Sequence, residues 1–292
     1  DSLPEILTGA GLETGVIEEV APLPESIVAG HIREITPHPD ADGLTICHVD
    51  AGDSKTHQVV CGAPNVLEGI VVPFARIRTR LPSGLKIGKA LIRGQASAGM
   101  LCSAAELGLE EQSSGLLLLD PELRPGELLN PHLQLPDQLL EVELTPNRGD
   151  CLSILGIARE VAALTGGSLQ EPKLPRVRPA GSESRTIMLD GTGGCARYVG
   201  RTITQVRPGA RTPDLLRERL RRAGSRSIDA LVDISNYVML EIGQPMHAFD
   251  SDRLKGDICV RRAKPRERIK LLDGEPITLD ADALLITDGS GA

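Results

Sequence analysis

Tryptophan is absent from this 292-residue sequence, and its whole aromatic complement is Phe74, Phe249, Tyr198 and Tyr237. A surface that reads nucleic acid by stacking serial bases on aromatic rings, as an RRM sheet does, is therefore excluded. No run of about 18 apolar residues occurs, which excludes a membrane-spanning helix. The opening DSLPEILTGAG has neither a basic n-region nor an apolar h-region, so no signal peptide is expected there. It also lacks Met, and LLITDGSGA stops just after an apolar run, so both ends are expected to be cut. The six cysteines, at 47, 61, 102, 151, 195 and 259, make no CxxC pair. Scattered cysteines without a secretion signal read as reduced cytoplasmic thiols, each a small buried hydrophobe. The P-loop, GxGxxG, GxSxG and HExxH patterns are all missing, which argues against a self-contained nucleotide hydrolase, dehydrogenase, serine hydrolase or zincin.

What is present has the balance of a soluble globular chain, 40% hydrophobic and 25% charged, over a length that suggests about two domains. The net charge of −8 means that the chain as a whole is no polycation clinging to any nucleic acid, and DNA is not an expected partner. That total hides a partition. Residues 1–30 hold six acids and no base, whereas 69–105 hold no acid at all but carry Arg76, Arg78, Arg80, Lys86, Lys89 and Arg93. Two further basic tracts follow, nine arginines between Arg197 and Arg226, and the run from Arg261 to Lys270. Basic tracts on an acidic protein suggest polyanion contact at defined places; the alternative is arginine on solvated faces.

Residues 28–120 read as all-β. Short apolar runs (VAGHIREI, LTICHVDAG, HQVVCG, IVVPFARI, KALIRG, GLLLLD) alternate with turn clusters such as HPDADG and LPSG, which suits a small Greek-key barrel of the OB type. A short helix is expected at Ser103–Leu107, and another is capped by Asp150 and ended by Gly166-Gly167. Leu169–Ser184 reads as a linker. Beyond it, Thr212-Pro213-Asp214 opens a helix with Leu215, Leu216, Leu220 and Ala223 as its apolar stripe. A second helix runs from near Asp229 to Gly243. Strands are expected at TIMLD, RYVGRTIT, DICVRRA and IKLLDG, so this third of the chain is α+β.

Asp40-Ala41-Asp42-Gly43 reads as an Asx-stabilised turn, since it lacks the further oxygen ligands of a calcium loop. Cys47, His48, His57 and Cys61 match no usual zinc spacing, and neighbours on one strand point to opposite faces. No metal site is expected. In the acid-free stretch, Lys86 and Arg93 can neutralise a phosphate backbone while Ser97 and Ser103 donate to it from a Gly/Ser-rich loop; a solvated barrel loop is the alternative. The densest constellation runs from Arg226 through Ser235-Asn236 to Pro245, His247, Ala248 and Asp250. Its Arg, Asn and His suit a sugar–phosphate end in a small pocket, against the alternative of a satisfied structural histidine.

These strings carry a resemblance. AGLETGVIEEV, HPDADGL, VVCGAPNV, IRGQASAGMLCSAAELGL, ELTPNRGDCLSILGIARE, RSIDALVDISNYVMLEIGQPMHAFD and KLLDG resemble, in order, the bacterial phenylalanyl-tRNA synthetase β subunits. The resemblance implies an OB-fold tRNA-binding domain at 22–130, inserted in a small α+β domain made of 1–21 and 131–175. Part of an α+β editing domain would follow at 185–292, within a longer family chain. It implies tRNA(Phe) and a catalytic α subunit as partners in an (αβ)2 heterotetramer, with ATP and Mg2+ used by the whole enzyme and neither bound by this stretch. By motif, Arg226, Asn236 and His247 match editing-site positions, and Ser235, Pro245 and Ala248 match the pocket lining, Ser235 standing where some relatives carry Thr. With no Ser–His or Cys–His pair in view, direct attack of an oriented water on a mischarged tyrosyl ester is the expected chemistry. A free-standing tRNA-binding OB module without catalysis, and a purely structural subunit, are the competing readings.

Overall fold

Proline at the first turn and a backbone N–H of Ser2 donated to Glu5 Oε2 at 2.8 Å start the helix α1 (Leu3–Gly9). The strand β1 (Glu13–Val20) follows. Then Val, Ile and Thr at strand period build β2 (Ile27–Pro37), β3 (Thr45–Asp50), β4 (His57–Cys61), β5 (Val71–Ala75), β6 (Lys89–Ile92), β7 (Gln95–Ala98) and β8 (Met100–Leu101). The computed structural model describes residues 2–190, 194–271 and 274–291. Five of these strands form one antiparallel sheet in the order β4-β3-β2-β5-β8, which curls until its two edge strands line a common hollow of about 380 Å³. The chain is thus a mixed α and β protein with a barrel-like five-stranded sheet.

The period of two divides the strand side chains between two cores. Val28, Ile32, Cys47, Val49, Val59, Val72, Phe74 and Leu101 fill the inside of the curl. Ile27, Ala29, Val71 and Ala75 face outward, where Leu107, Leu119, Leu123, Leu129 and Leu133 from the following chain cover them. With so few aromatics, Phe74 is the largest fully buried side chain, and two glycines make its room. A Cβ at Gly99 would fall 2.3 Å from the Phe74 ring, and one at Gly30 would fall 2.7 Å from Phe74 Cβ.

After the barrel come α2 (Leu129–Leu133), β9 (Asp137–Glu143), a 3₁₀ turn at Gly149–Cys151 and α3 (Ile154–Thr165). β9 pairs antiparallel with β1, so the chain start and the segment after the barrel share one ribbon. Leu7, Leu12 and Cys151 pack there with Leu140, Ile157 and Val161. The helices α4 (Asp214–Arg222) and α5 (Ala230–Ile242) belong to the same compact unit, which comprises Asp1–Leu169 and Arg211–Gln244.

Several expectations are corrected. Gly115–Asp120 is no strand; Leu117 N–H bonds Cys102 O and Leu119 N–H bonds Val71 O, so its donors go to different strands and no continuous ladder forms. Ser103–Leu107 is a turn, in which Ser103 N–H and Oγ both donate to Glu106 Oε2 at 2.6 and 2.8 Å, and not a helix. Asp150 does not cap α3. Ser153 does, its Oγ accepting from Gly156 N–H at 3.0 Å. Gly156 then lies so close to Asp150 O that a Cβ would meet it at 2.1 Å. Of the apolar stripe expected on α4, Leu220 is buried, Leu215 and Leu216 are half-buried and Ala223 is exposed, and the buried face also takes in Asp214 and Glu218. α5 runs as expected, from the Asp229 cap, whose Oδ1 accepts from Leu231 and Val232 N–H, to Gly243 at φ 78°.

The second unit, Gln170–Ala210 with Pro245–Ala292, holds β10 (Ile187–Leu189), β11 (Ile258–Arg262), β12 (Arg268–Lys270), β13 (Pro276–Thr278) and β14 (Leu284–Thr287). β11 lies between β10, parallel, and β14, antiparallel; β12 and β13 form a hairpin. Arg197–Thr204 is not a strand, and Val199 and Ile203 are exposed. Of the strand expected at 269–274, Leu272 and Asp273 lie outside the described residues.

Two carboxylates in this unit are held near pKa 2. The Arg261 guanidinium, then Lys264 N–H, do this to Glu267; Lys255 N–H, then Ser290, do it to Asp288. Both folded values lie below the ordinary 4.5 and 3.8. The stability these groups add is therefore complete above the ordinary values and is lost as pH falls toward 2. Urea midpoints followed from pH 5 to 2 are expected to drop, and Glu267→Gln to flatten that drop; an unchanged acid limb in the variant would refute the assignment.

Candidate functional site

The acid-free stretch folds into two hairpins on the barrel. In the first, an antiparallel bridge joins Arg80 to Lys86, and Leu81 N–H bonds Leu85 O across the turn. In the second, β6 and β7 are joined at Arg93 and Gly94, whose φ values of 44° and 85° are both positive, as a two-residue type I′ turn requires. That turn puts Arg93 at a hairpin tip. Gln58 Nε2 donates to Ala96 O at 2.9 Å and ties this hairpin to β4. On its other strand His38 Nδ1 accepts from Asp40 N–H, which leaves its Nε2 to donate to Ile92 O at 3.1 Å.

Arg78, Arg80, Lys86, Lys89 and Arg93 are exposed, and none is ion-paired among the described residues. Arg76 differs, donating to Ala51 O at 2.7 Å and pairing with Asp53. The serines also differ from expectation. Ser97 is only 4% exposed; its Oγ accepts from Val60 N–H at 3.2 Å and lies 3.4 Å from Gly99 O, so it locks the hairpin onto β4 and does not face a ligand. Ser103 is half-buried and spends its hydroxyl on Glu106.

Much of the second basic tract points inward. The Asp214 side chain is fully buried and accepts from Asp120 N–H at 2.7 Å, His132 Nε2 at 2.8 Å, Arg217 at 3.1 Å and Arg211. Glu218 pairs with Arg221 at 3.0 Å and Arg222 at 3.7 Å, while Arg222 also donates to Leu133 O and Asp137. Asp233 is fully buried too. Burial pushes its carboxyl up, but Ser227, Thr212 and Ile228 N–H outweigh that and hold it below the usual range. The burial of these acids was not read from the sequence; the i,i+3 and i,i+4 spacing of Arg211, Asp214 and Arg217, and of Glu218, Arg221 and Arg222, signals only that the ion pairs can form.

The Arg226–Asp250 constellation is divided. Arg226 is exposed just before α5, and Ser235 and Asn236 lie half-buried on α5, with Ser235 Oγ donating to Val232 O at 2.8 Å. All three belong to the first unit, whereas Pro245, His247 and Ala248 are exposed residues of the second. His247 is no satisfied core histidine: its ring meets Phe249 edge-on, with centroids 4.5 Å apart at 82°.

Two stretches of the chain match known family models. A model described as "Putative tRNA binding domain" matches residues 27–128, and a "B3/4 domain" model matches 194–292. The phenylalanine–tRNA ligase beta subunit of Dechloromonas aromatica is 47% identical over 99% of this chain and 36% of its own length. Those of Bordetella bronchiseptica and Pseudomonas fluorescens are 48% identical over 99% and 100% of this chain, covering 36% and 37% of theirs. The chain belongs to the phenylalanine–tRNA ligase beta subunit family. It spans little more than a third of the length of the curated relatives it matches.

The Mg2+ implied by this ligase family meets no fitting set of side chains among the described residues. Among the described residues one set of ligand-type side chains converges, Asp150, Cys151 and Glu160, and the Arg148 guanidinium already fills it, bonding Asp150 at 3.1 Å, Glu160 at 2.9 Å and Cys151 Sγ at 3.0 Å. Nor do the thiols offer a nucleophile on the barrel. Burial pushes Cys47 and Cys102 up to about 12, far from the thiolate form at neutral pH.

Proposed function

We propose that this chain is the tRNA-binding and editing portion of a phenylalanine–tRNA ligase beta subunit, acting within a longer chain that assembles with a catalytic alpha subunit as (αβ)2 in the cytoplasm. In that assembly ATP and Mg2+ serve the charging reaction on the alpha subunit. The domain scheme proposed is an OB barrel at 22–130 inserted in a small domain of 1–21 and 131–175, with the editing domain beginning at 185. The β1–β9 pairing supports it, because it closes the chain on either side of the barrel into one ribbon.

The observation that carries tRNA binding is the set of exposed cations without acidic partners, Arg78, Arg80, Lys86, Lys89 and Arg93, on hairpins of the segment that matches a tRNA-binding model. Without aromatic rings to stack bases, such a surface contacts phosphates and carries little sequence information. Lys86→Ala with Arg93→Ala, in the full enzyme, is expected to weaken tRNA binding and reduce its log–log salt slope by about 2. Filter binding across a salt series measures both; an unchanged slope would remove these residues from the contact set.

For editing, His247 would position the attacking water or the terminal ribose, Arg226 would hold a phosphate of the tRNA end, and Asn236 would donate to the substrate. Ser235, Pro245 and Ala248 would shape the surroundings of the tyrosyl group. A tRNA-binding module without catalysis remains the second reading. The B3/4 match at 194–292 disfavours it, since a pure binding module has no need of that segment.

A further inference from the structure

The second unit contains a hollow of about 620 Å³ that neither matched activity explains. Its lining is Pro175, Arg176, Val177, Arg178, Pro179 and Arg201, with no acidic and no aromatic residue. Arg176, Arg178 and Arg201 are all exposed, and none is ion-paired among the described residues. Three arginines line this one open hollow with no acid among the lining, so positive charge gathers there and an entering anion relieves the like-charge repulsion. Each offers a planar fork of donors suited to phosphate oxygens.

We infer that this hollow is a second RNA site, taking the phosphodiester backbone of a tRNA. The volume exceeds what a lone phosphate needs, and the two linker arginines lie along the chain. Prolines 175 and 179 fix their own φ and push Leu174 and Arg178 toward extended backbone. Two residues apart in extended chain, the Cα atoms of Arg176 and Arg178 stand about 6–7 Å apart. This is a row of charges, matched to a string of phosphates. A stiff segment also loses less freedom on binding than a glycine-rich one would. The lining has no ring to stack a base and no carboxylate to accept from one, so recognition there is of backbone. The inference deepens the tRNA-binding reading above and rests on it for the identity of the RNA.

The test compares three forms of the full enzyme in tRNA binding over a salt series: wild type, Lys86→Ala with Arg93→Ala, and Arg176→Ala with Arg178→Ala and Arg201→Ala. The triple variant is expected to lose about 10-fold or more in affinity and to reduce the salt slope by about 3, in addition to the loss from the barrel pair. Arg→Lys at the same three positions is expected to keep most of the slope, because phosphate neutralisation needs charge. Wild-type slope and affinity in the triple alanine variant would overturn the second site while leaving the barrel reading intact. Loss of binding to vesicles of phosphatidylcholine and phosphatidylserine, with tRNA binding unchanged, would overturn it in favour of a lipid surface. A wild-type enzyme that binds no tRNA would overturn both readings.

Discussion

Asp214→Ala is expected to destabilise the first unit by about 3–5 kcal/mol, the cost of breaking a buried ion pair from one side. The carboxylate is wholly inside, and its two oxygens accept from a backbone N–H, a histidine and two arginines. Removing it leaves those donors facing each other. Burial already pulls the Arg211 guanidinium down and Asp214 opposes that pull, so the variant strands a partly buried cation. The same deletion breaks two links between segments at once, because Asp214 opens α4 while Asp120 follows the barrel and His132 lies on α2. Asp229→Ala removes an exposed N-cap instead and is expected to cost about 1 kcal/mol. Urea unfolding of the two variants separates the cases: equal shifts in midpoint would mean that the Asp214 cluster is a solvated network of little worth.

That cluster also marks where the sequence stopped being legible. The barrel strands from Ile27 to Ala75 could be read because a period of two is a local signal, and α5 could be read because Asp229 and Gly243 are caps whose chemistry lies within three residues of the helix end. The burial of Asp214, Glu218 and Asp233 could not, because hydropathy assigns every carboxylate to the surface, and only the fold reveals that arginines come inward with the first two and that Thr212, Ser227 and Ile228 N–H satisfy the third. Arg197–Thr204 failed for a related reason. Its β-branched alternation suits a strand, but a strand exists only where another presents a free edge, and pairing is not written in the segment itself. The cap of α3 turned on a smaller matter: Asp150 and Ser153 were both able, and Gly156, by lacking a Cβ, let the backbone close in a way that selects Ser153. Among the residues expected to touch tRNA, the two cations stand exposed while Ser97 is consumed by packing, a distinction that depends on the β4–β7 contact.

His247→Ala, in the full-length enzyme with its alpha subunit, is expected to slow hydrolysis of Tyr-tRNA(Phe) by about 100-fold or more, while charging with Phe is unchanged. A second hydrolytic site is needed because a synthetic pocket shaped for an apolar side chain rejects an analogue with one extra hydroxyl by only about 100-fold. Four side chains are poor covalent nucleophiles: burial keeps the barrel thiols Cys47 and Cys102 protonated, and the Ser227 and Ser235 hydroxyls donate to Asp233 and Val232 O. In the proposed reading water is the nucleophile, and the residue that orients it needs a polar ring open to solvent. His247 has such a ring: it is exposed, and Phe249 meets it edge-on. Phe249→Leu should therefore reproduce part of the defect by loosening the ring without removing it, a graded result that a merely structural histidine would not give. His247→Gln should recover some activity if hydrogen bonding to water is the whole role and none if a proton must move. Equal Tyr-tRNA hydrolysis in wild type and His247→Ala would remove His247 from the reaction, and loss of Phe charging in the variant would show a folding defect in place of a chemical one.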